Sequence, residues 1–203
     1  MTSADEGARE TDGATPLDDD EAEGLIPGNV TTKSELNAWE ALNVANGQEW
    51  AFSRNATDPL SVEALRELHR RMFGETWKWA GRFRSSDKNV SPYHWSQVPT
   101  LLHDLVRDTR AQYDASPKTP EALDEIAVRF HHRLVRIHPW PNGNGRHARL
   151  ATDLLSRHWG RPLFTWGSNS DLISQGTART RYLTALRAAD GGNFEPLLEF
   201  VRS

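Results

Sequence analysis

Residues 137–149 read Ile-His-Pro-Trp-Pro-Asn-Gly-Asn-Gly-Arg-His-Ala-Arg, placing two prolines and two glycines between two stretches of helical period. Upstream, Leu123, Ile126, Phe130, Leu134 and Ile137 recur at three- and four-residue steps, the mark of a helix with one buried face. Pro139 forbids its continuation, so His138 sits where that helix ends. Leu150, Leu154, Leu155 and Trp159 then resume the period. The chain must turn one helix into the next at this corner, a common arrangement whose elements, taken singly, more often have only a structural role. Gly143 and Gly145 flank Asn144; glycines accept positive φ and let backbone N–H groups form a nest for anionic oxygens. The nest lies at a helix N-terminus, where the dipole also favours negative charge. Arg146 and Arg149 share a face of the first turn. Cations there oppose the dipole, which points to an anion held beyond the helix end. His138, neutral near working pH, can take a proton from a hydroxyl. Base, anion nest and two cations together describe a nucleotide site.

The remainder of the chain supplies a scaffold. Thr32 or Ser34 caps a predicted helix running through Leu36, Trp39, Glu40, Leu42 and Val44 to a stop at Asn46-Gly47. Asp58-Pro59 starts another, with Leu65, Leu68 and Met72 on one face and its end at Gly74. Residues 81–97 lack helical period, and polar turn residues divide two short extended pieces, so a hairpin is predicted there. Helices are predicted over 98–113, 121–137, 144–159, 177–189 and 194–201. The expected fold is mostly α, a helical bundle around the motif corner with one short β-hairpin flap.

Composition narrows the function classes. The chain has no cysteine, which excludes disulfides and thiolate metal sites. No apolar run approaches a membrane span and no signal-peptide pattern opens the sequence, so a cytoplasmic protein is expected. Residues 1–24 carry nine acidic side chains against one arginine, leaving the rest net positive despite an overall charge of −4. Lacking aromatics, this tail is expected to be disordered up to Gly24, with one folded domain over 25–203. It serves as a solubilising tail or as a cover for the basic site. The body shows no basic stripe, which argues against nucleic acid. His131, His132, His138 and His147 lack zinc-ligand spacing, and the first two point to different helix faces. Most of the eight tryptophans belong to the core. Tyr93 and Trp95 in the hairpin are placed either to hold a target or an adenine ring, or simply to pack.

In order and spacing, the corner resembles the signature of the Fic family, H-P-F-x-[D/E]-G-N-G-R-x-x-R. His138, Pro139, Gly143, Asn144, Gly145, Arg146 and Arg149 match it; Trp140 replaces the phenylalanine and Asn142 the acidic residue. Trp79-Ala80-Gly81-Arg82-Phe83-Arg84 is similar to the family's segment before its flap. Residues 181–186 and 194–198 are similar to its last helices. Thr15-Pro16-Leu17 and Glu21-Ala22-Glu23-Gly24-Leu25-Ile26-Pro27 resemble the opening of the subgroup called mobile mystery protein B.

The resemblance implies a protein adenylyltransferase that moves AMP from ATP to a Ser, Thr or Tyr hydroxyl of a target protein. It implies His138 as general base, Gly143, Asn144 and Gly145 around the α- and β-phosphates, and Arg146 and Arg149 at the β- and γ-phosphates. Asn142 falls at the position of a magnesium ligand; carrying no charge, it implies Mg²⁺ entering as a nucleotide complex. Flap residues 84–95, with Arg84, Val90, Tyr93 and Trp95, would pair with an extended piece of target. Family members are often held off by a glutamate facing the second motif arginine, or by an antitoxin or other regulatory partner. Thr31-x-x-x-Glu35 makes Glu35 the candidate here, since the literal match at Thr2–Gly7 lies in the tail. Two alternatives stay open: transfer of another phosphate moiety, or a metal-impaired binding module.

Overall fold

The computed structural model describes residues 19–53, 58–169, 172 and 176–203. Its helices are α1 (Asp19–Ala22), α2 (Lys33–Ser53), α3 (Val62–Phe73), α4 (Val98–Ala115), α5 (Pro120–Ile137), α6 (Asn144–His158), the kinked turn α7 (Trp166–Asn169), α8 (Thr177–Asp190) and α9 (Glu195–Arg202). Among the described residues the only β pairing is an isolated antiparallel bridge, Leu25 to Trp77.

Local chemistry sets the helix ends. Ser61 accepts the Ala64 N–H and starts α3; Thr119 does the same for Ala122, with Pro120 in the first turn of α5. The α3 start thus falls after the expected Asp58-Pro59, and Asp58 Oδ1 instead caps the preceding turn at the Leu60 N–H. The inner face of α3 buries Val62, Leu65, Leu68, Met72 and Phe73. Those side chains join Leu102 and Leu105 of α4, Phe130 and Leu134 of α5 and Leu155 of α6 in one core. Each fully buried leucine contributes about 2 kcal/mol of hydrophobic stabilisation. A second core gathers Val128, Trp166, Tyr182, Leu186, Leu197 and Phe200 around the chain's last helices. Between these two cores, α5 and α6 form the hairpin that carries the motif.

Three expectations are corrected. Asn46-Gly47 does not end α2, which runs on to Ser53. A Cβ on Gly47 would lie 2.8 Å from Met72 Cα, so this glycine permits the close crossing of α2 over α3 instead of stopping the helix. The tail boundary expected at Gly24 lies further back. α1 packs onto the body with Glu21 buried, Trp79 Nε1 donating to the Glu21 carbonyl at 2.9 Å and Lys88 Nζ 2.7 Å from Glu21 Oε2. Finally, residues 81–97 form turns and a 3-10 turn over Trp95–Gln97, with no strands. The carbonyls of Ser86 and Tyr93, which a hairpin ladder would use, accept from the Arg84 guanidinium at 2.8 and 2.7 Å. Buried charge thus replaces strand pairing as the link between the two limbs.

Candidate active site

His138 closes α5 in the left-handed region (φ 53°, ψ 60°), its N–H bonded to the Leu134 carbonyl at 3.2 Å. A bulky residue there is unusual, and backbone of this kind concentrates at functional positions. The side chain is 7% exposed. Burial lowers its pKa to about 4; a hydrogen bond to the Val135 backbone opposes the shift, and the charges of Arg84 and Lys88 reinforce it. At neutral pH the imidazole is therefore uncharged and able to accept a proton. Arg84, 1% exposed, fixes the adjoining backbone: its Nε donates to the His138 carbonyl at 2.8 Å and its N–H to the Pro139 carbonyl at 2.9 Å. The docking role expected of Arg84 does not fit this burial, since its donors are turned inward. Val90 and Trp95, 37% and 42% exposed, face solvent, while Tyr93 is partly buried against the core.

The loop from Pro139 to Asn144 is braced from within. Asn144 Oδ1 accepts the Trp140 N–H at 2.9 Å and its Nδ2 donates to the Trp140 carbonyl at 2.8 Å. The Asn144 side chain, expected among the phosphate donors, is thereby occupied as a clamp. Trp140 is fully buried, and its Nε1 donates to His147 Nδ1 at 3.1 Å. His147 Nε2 must then carry the hydrogen and donate to the Leu65 carbonyl at 2.9 Å. His69 makes the same kind of bridge: Nδ1 accepts the Gly81 N–H at 3.0 Å and Nε2 donates to the Asn142 carbonyl at 3.1 Å, with the ring stacked 4.5 Å from Trp140. Burial lowers both pKa values, that of His147 to about 4 and that of His69 well below its usual value, which keeps the bridges neutral. His131 and His132 bond instead to Tyr182 and Asp190.

Gly143 takes φ 77°, and a Cβ on it would lie 2.5 Å from the Phe73 ring, so only glycine fits. The first intrahelical bond of α6 runs from the His147 N–H to the Gly143 carbonyl. The N–H groups of Asn144, Gly145 and Arg146 precede it at the positive end of the helix, the arrangement that binds anions. Asn142 Oδ1 accepts the Gly143 N–H at 2.6 Å, leaving one neutral oxygen with its second lone pair as the donor toward a cation. Among the described residues no group of three or more His, Asp or Glu could hold a metal ion. This donor set does not make a resident Mg²⁺ site.

The two arginines are held differently. Arg146 pairs with Glu40 of α2 at 2.9 Å and lies 4.8 Å from the Phe73 ring centre. Glu40 also accepts from Trp77 Nε1 at 2.7 Å. Arg149, partly buried, turns to Tyr182 of α8, its Cζ 5.7 Å from the ring centre. Glu35 does not face either arginine: it is exposed, and its Oε2 accepts from the Thr31 and Thr32 N–H groups at 2.8 and 2.9 Å, capping α2 and lowering its own pKa. The carboxylate that meets the motif is Glu40, one turn further on. Residues 2–7 lie outside the described residues. A cavity of about 630 Å³ between α2, α3 and α6, lined by Trp50, Leu65, Leu68, Ala151 and Leu154, contains no motif residue.

Sequence reasoning missed His69 and the pairing of Glu40. Each left one signal, a polar residue on an otherwise apolar helix face.

The helical hairpin thus carries a buried, neutral histidine at its first end and the backbone N–H groups of a helix start with two arginines at its second. Residues 59–156 match the Fic/DOC family, and the chain carries a Fic/DOC family domain. It is 30% identical over 187 residues to the protein adenylyltransferase Fic of Nematostella vectensis, covering 89% of this chain and 40% of that protein. Protein adenylyltransferase fic-1 of Caenorhabditis elegans is 30% identical over 148 residues, 71% of this chain and 27% of the relative. The chain thus spans two fifths or less of these curated relatives. Among solved structures, the BepC protein of Bartonella tribocorum, with bound AMPPNP, aligns with a TM-score of 0.68 at 19% identity over 90% of this chain and 95% of that one. The N-terminal Fic domain of a Bartonella quintana protein aligns with a TM-score of 0.70 at 18% identity, over 90% and 91%. These establish a shared fold.

Proposed function

We propose that the chain is a protein adenylyltransferase, moving AMP from ATP to a Ser, Thr or Tyr hydroxyl of a target protein. The observation that carries this reading is the neutral, buried imidazole of His138, joined by a braced loop to the anion nest of α6. The names of the relatives support it. His138 takes the hydroxyl proton as the target oxygen bonds to the α-phosphorus; the bond from that phosphorus to pyrophosphate breaks, and the electron pair leaves with pyrophosphate. The N–H groups of Asn144, Gly145 and Arg146 hold phosphate oxygens, and Arg146 and Arg149 neutralise the leaving group. Preorganised donors of this kind supply most of the stabilisation in phosphate transfer. Mg²⁺ arrives with the nucleotide as part of the substrate. Val90, Tyr93 and Trp95 line the side on which a target segment docks. The N-terminal pattern over Glu21–Pro27 supports the mobile mystery protein B subgroup.

Glu40 adds a regulatory element to this reading. Its carboxylate holds Arg146, so ATP must displace it, and a partner that draws α2 aside would release the arginine. A second reading, a metal-impaired binding module, is favoured by the uncharged Asn142. Intact-mass measurement after incubation with ATP and Mg²⁺ separates the two. Addition of an adenylyl group is expected in the wild type, more in Glu40→Gln, and roughly 10²- to 10⁴-fold less in His138→Ala. No adduct in any variant, on the protein or on added targets, sinks the transferase reading.

A further inference from the structure

His69 of α3 is fully buried and gives each ring nitrogen to the backbone of a different loop beside the site. Nδ1 accepts the Gly81 N–H at 3.0 Å. A backbone N–H can only donate, so Nδ1 is bare, the imidazole hydrogen sits on Nε2, and Nε2 donates to the Asn142 carbonyl at 3.1 Å. The ring is held in its plane by Trp140, stacked at 4.5 Å, and by Phe73, whose ring centre is 4.7 Å away. Burial keeps the pKa well below its usual value, so both bonds persist at neutral pH.

The Asn142 carbonyl and the Gly143 N–H belong to one peptide plane. His69 holds its oxygen, and Asn142 Oδ1 holds its N–H at 2.6 Å. Pinned at both polar atoms, the plane cannot rotate, and it is the last one before Gly143, from which α6 and the N–H groups of the nest follow. Rotation there would misaim those donors. The other end of the bridge lies at the root of the docking loop. Gly81 takes φ 76°, its carbonyl accepts from Arg66 Nε at 3.0 Å, and three residues later Arg84 clasps the His138 and Pro139 carbonyls. A single ring therefore sets nest and loop in a common frame.

We propose that His69 is a positioning residue with two separable duties: through Nε2 it aims the backbone nest at the phosphates of ATP, and through Nδ1 it sets the root of the loop on which a target segment docks. The proposal rests on the reading of the nest as the ATP phosphate site.

The test compares His69→Asn with His69→Gln. Asparagine ends at the δ position, where its Oδ1 keeps the Gly81 bond; glutamine reaches the ε position, where its Nε2 keeps the Asn142 bond. Two quantities are measured for each variant, the dissociation constant for ATP with Mg²⁺ and the amide hydrogen exchange of residues 81–84. His69→Asn is expected to weaken ATP binding about fivefold, the worth of one neutral hydrogen bond, and to leave exchange at 81–84 as in the wild type. His69→Gln is expected to keep wild-type ATP affinity and to exchange faster from Gly81 to Arg84. His69→Leu, which keeps neither bond, is expected to show both effects. A histidine that only fills the core would move the two quantities together in every variant. Either of the first two variants decides alone if the other does not fold: the expected quantity moving while the other holds supports the proposal, and any other pair of results overturns it. No ATP binding by the wild type would instead remove the reading of the nest, and the proposal with it.

Discussion

The motif loop and the neighbouring loop over residues 84–97 lie side by side but are held in contrasting ways. The motif loop is braced by side chains from within the core: the Asn144 amide clamps both polar groups of the Trp140 backbone, and His69 and His147 tie it to Gly81 and Leu65. Its neighbour depends mainly on Arg84, whose guanidinium reaches Ser86, Ser91, Tyr93 and His138, and on the ion pair of Lys88 with Glu21. Beyond those anchors, Val90, His94 and Trp95 are exposed. An anion nest works only if its donors are aimed before the ligand arrives, whereas a surface that meets a protein segment gains from adaptability. The contrast in bracing therefore matches the proposed division of labour.

Acid is expected to break the braced side, with the largest effect. His69, His131, His138 and His147 all have folded pKa values below that of an unfolded histidine, those with values near 3 to 4. Between about pH 4 and 6.5 the unfolded chain binds more protons, so stability is complete above 6.5 and is lost as pH falls. Each proton taken up contributes about 1.4 kcal/mol per pH unit. Urea unfolding followed from pH 7 to pH 5 should show a falling midpoint; a flat profile contradicts the neutral bridges.

Arg84→Met attacks the other side. It removes the clasp while keeping apolar volume, and takes the guanidinium donors from the part-buried carbonyls of Ser86 and Tyr93 and the buried carbonyl of His138. A loss of roughly 2–4 kcal/mol is expected, with faster amide exchange over 85–97. Unchanged exchange there would show that the loop has other anchors. A smaller effect sharpens the comparison from the nucleotide end. Asn142→Asp keeps the acceptor for the Gly143 N–H and adds a charge, so the Mg²⁺ concentration for half-maximal transfer should drop several-fold with little change in stability. No drop would place Asn142 away from the cation.

The corner itself was legible because Pro139, Gly143 and the two flanking apolar periods dictate it locally. The α5 and α6 boundaries, the place of His138 and the order of the two arginines all follow from residues within a few positions. What stayed hidden depends on distant partners. Arg84 meets a carbonyl 54 residues away, and no local spacing announces that a buried guanidinium will replace a hairpin ladder. Gly47 has the sequence context of a helix stop and serves as a crossing point, which only the position of α3 decides. Glu35 and Glu40 are both carboxylates on α2; which one meets the motif depends on how α2 is rotated.

Label transfer from ATP to protein shows directly whether His138 moves the adenylyl group. Parallel incubations with ATP labelled at the α-phosphorus or at the γ-phosphorus, using the wild type, Glu40→Gln and His138→Ala, report which phosphate moves and whether His138 moves it. Adenylyl transfer by His138 predicts α-label on protein, no γ-label, a gain in Glu40→Gln and loss in His138→Ala. Incorporation of γ-label, or α-label undiminished in His138→Ala, would contradict it.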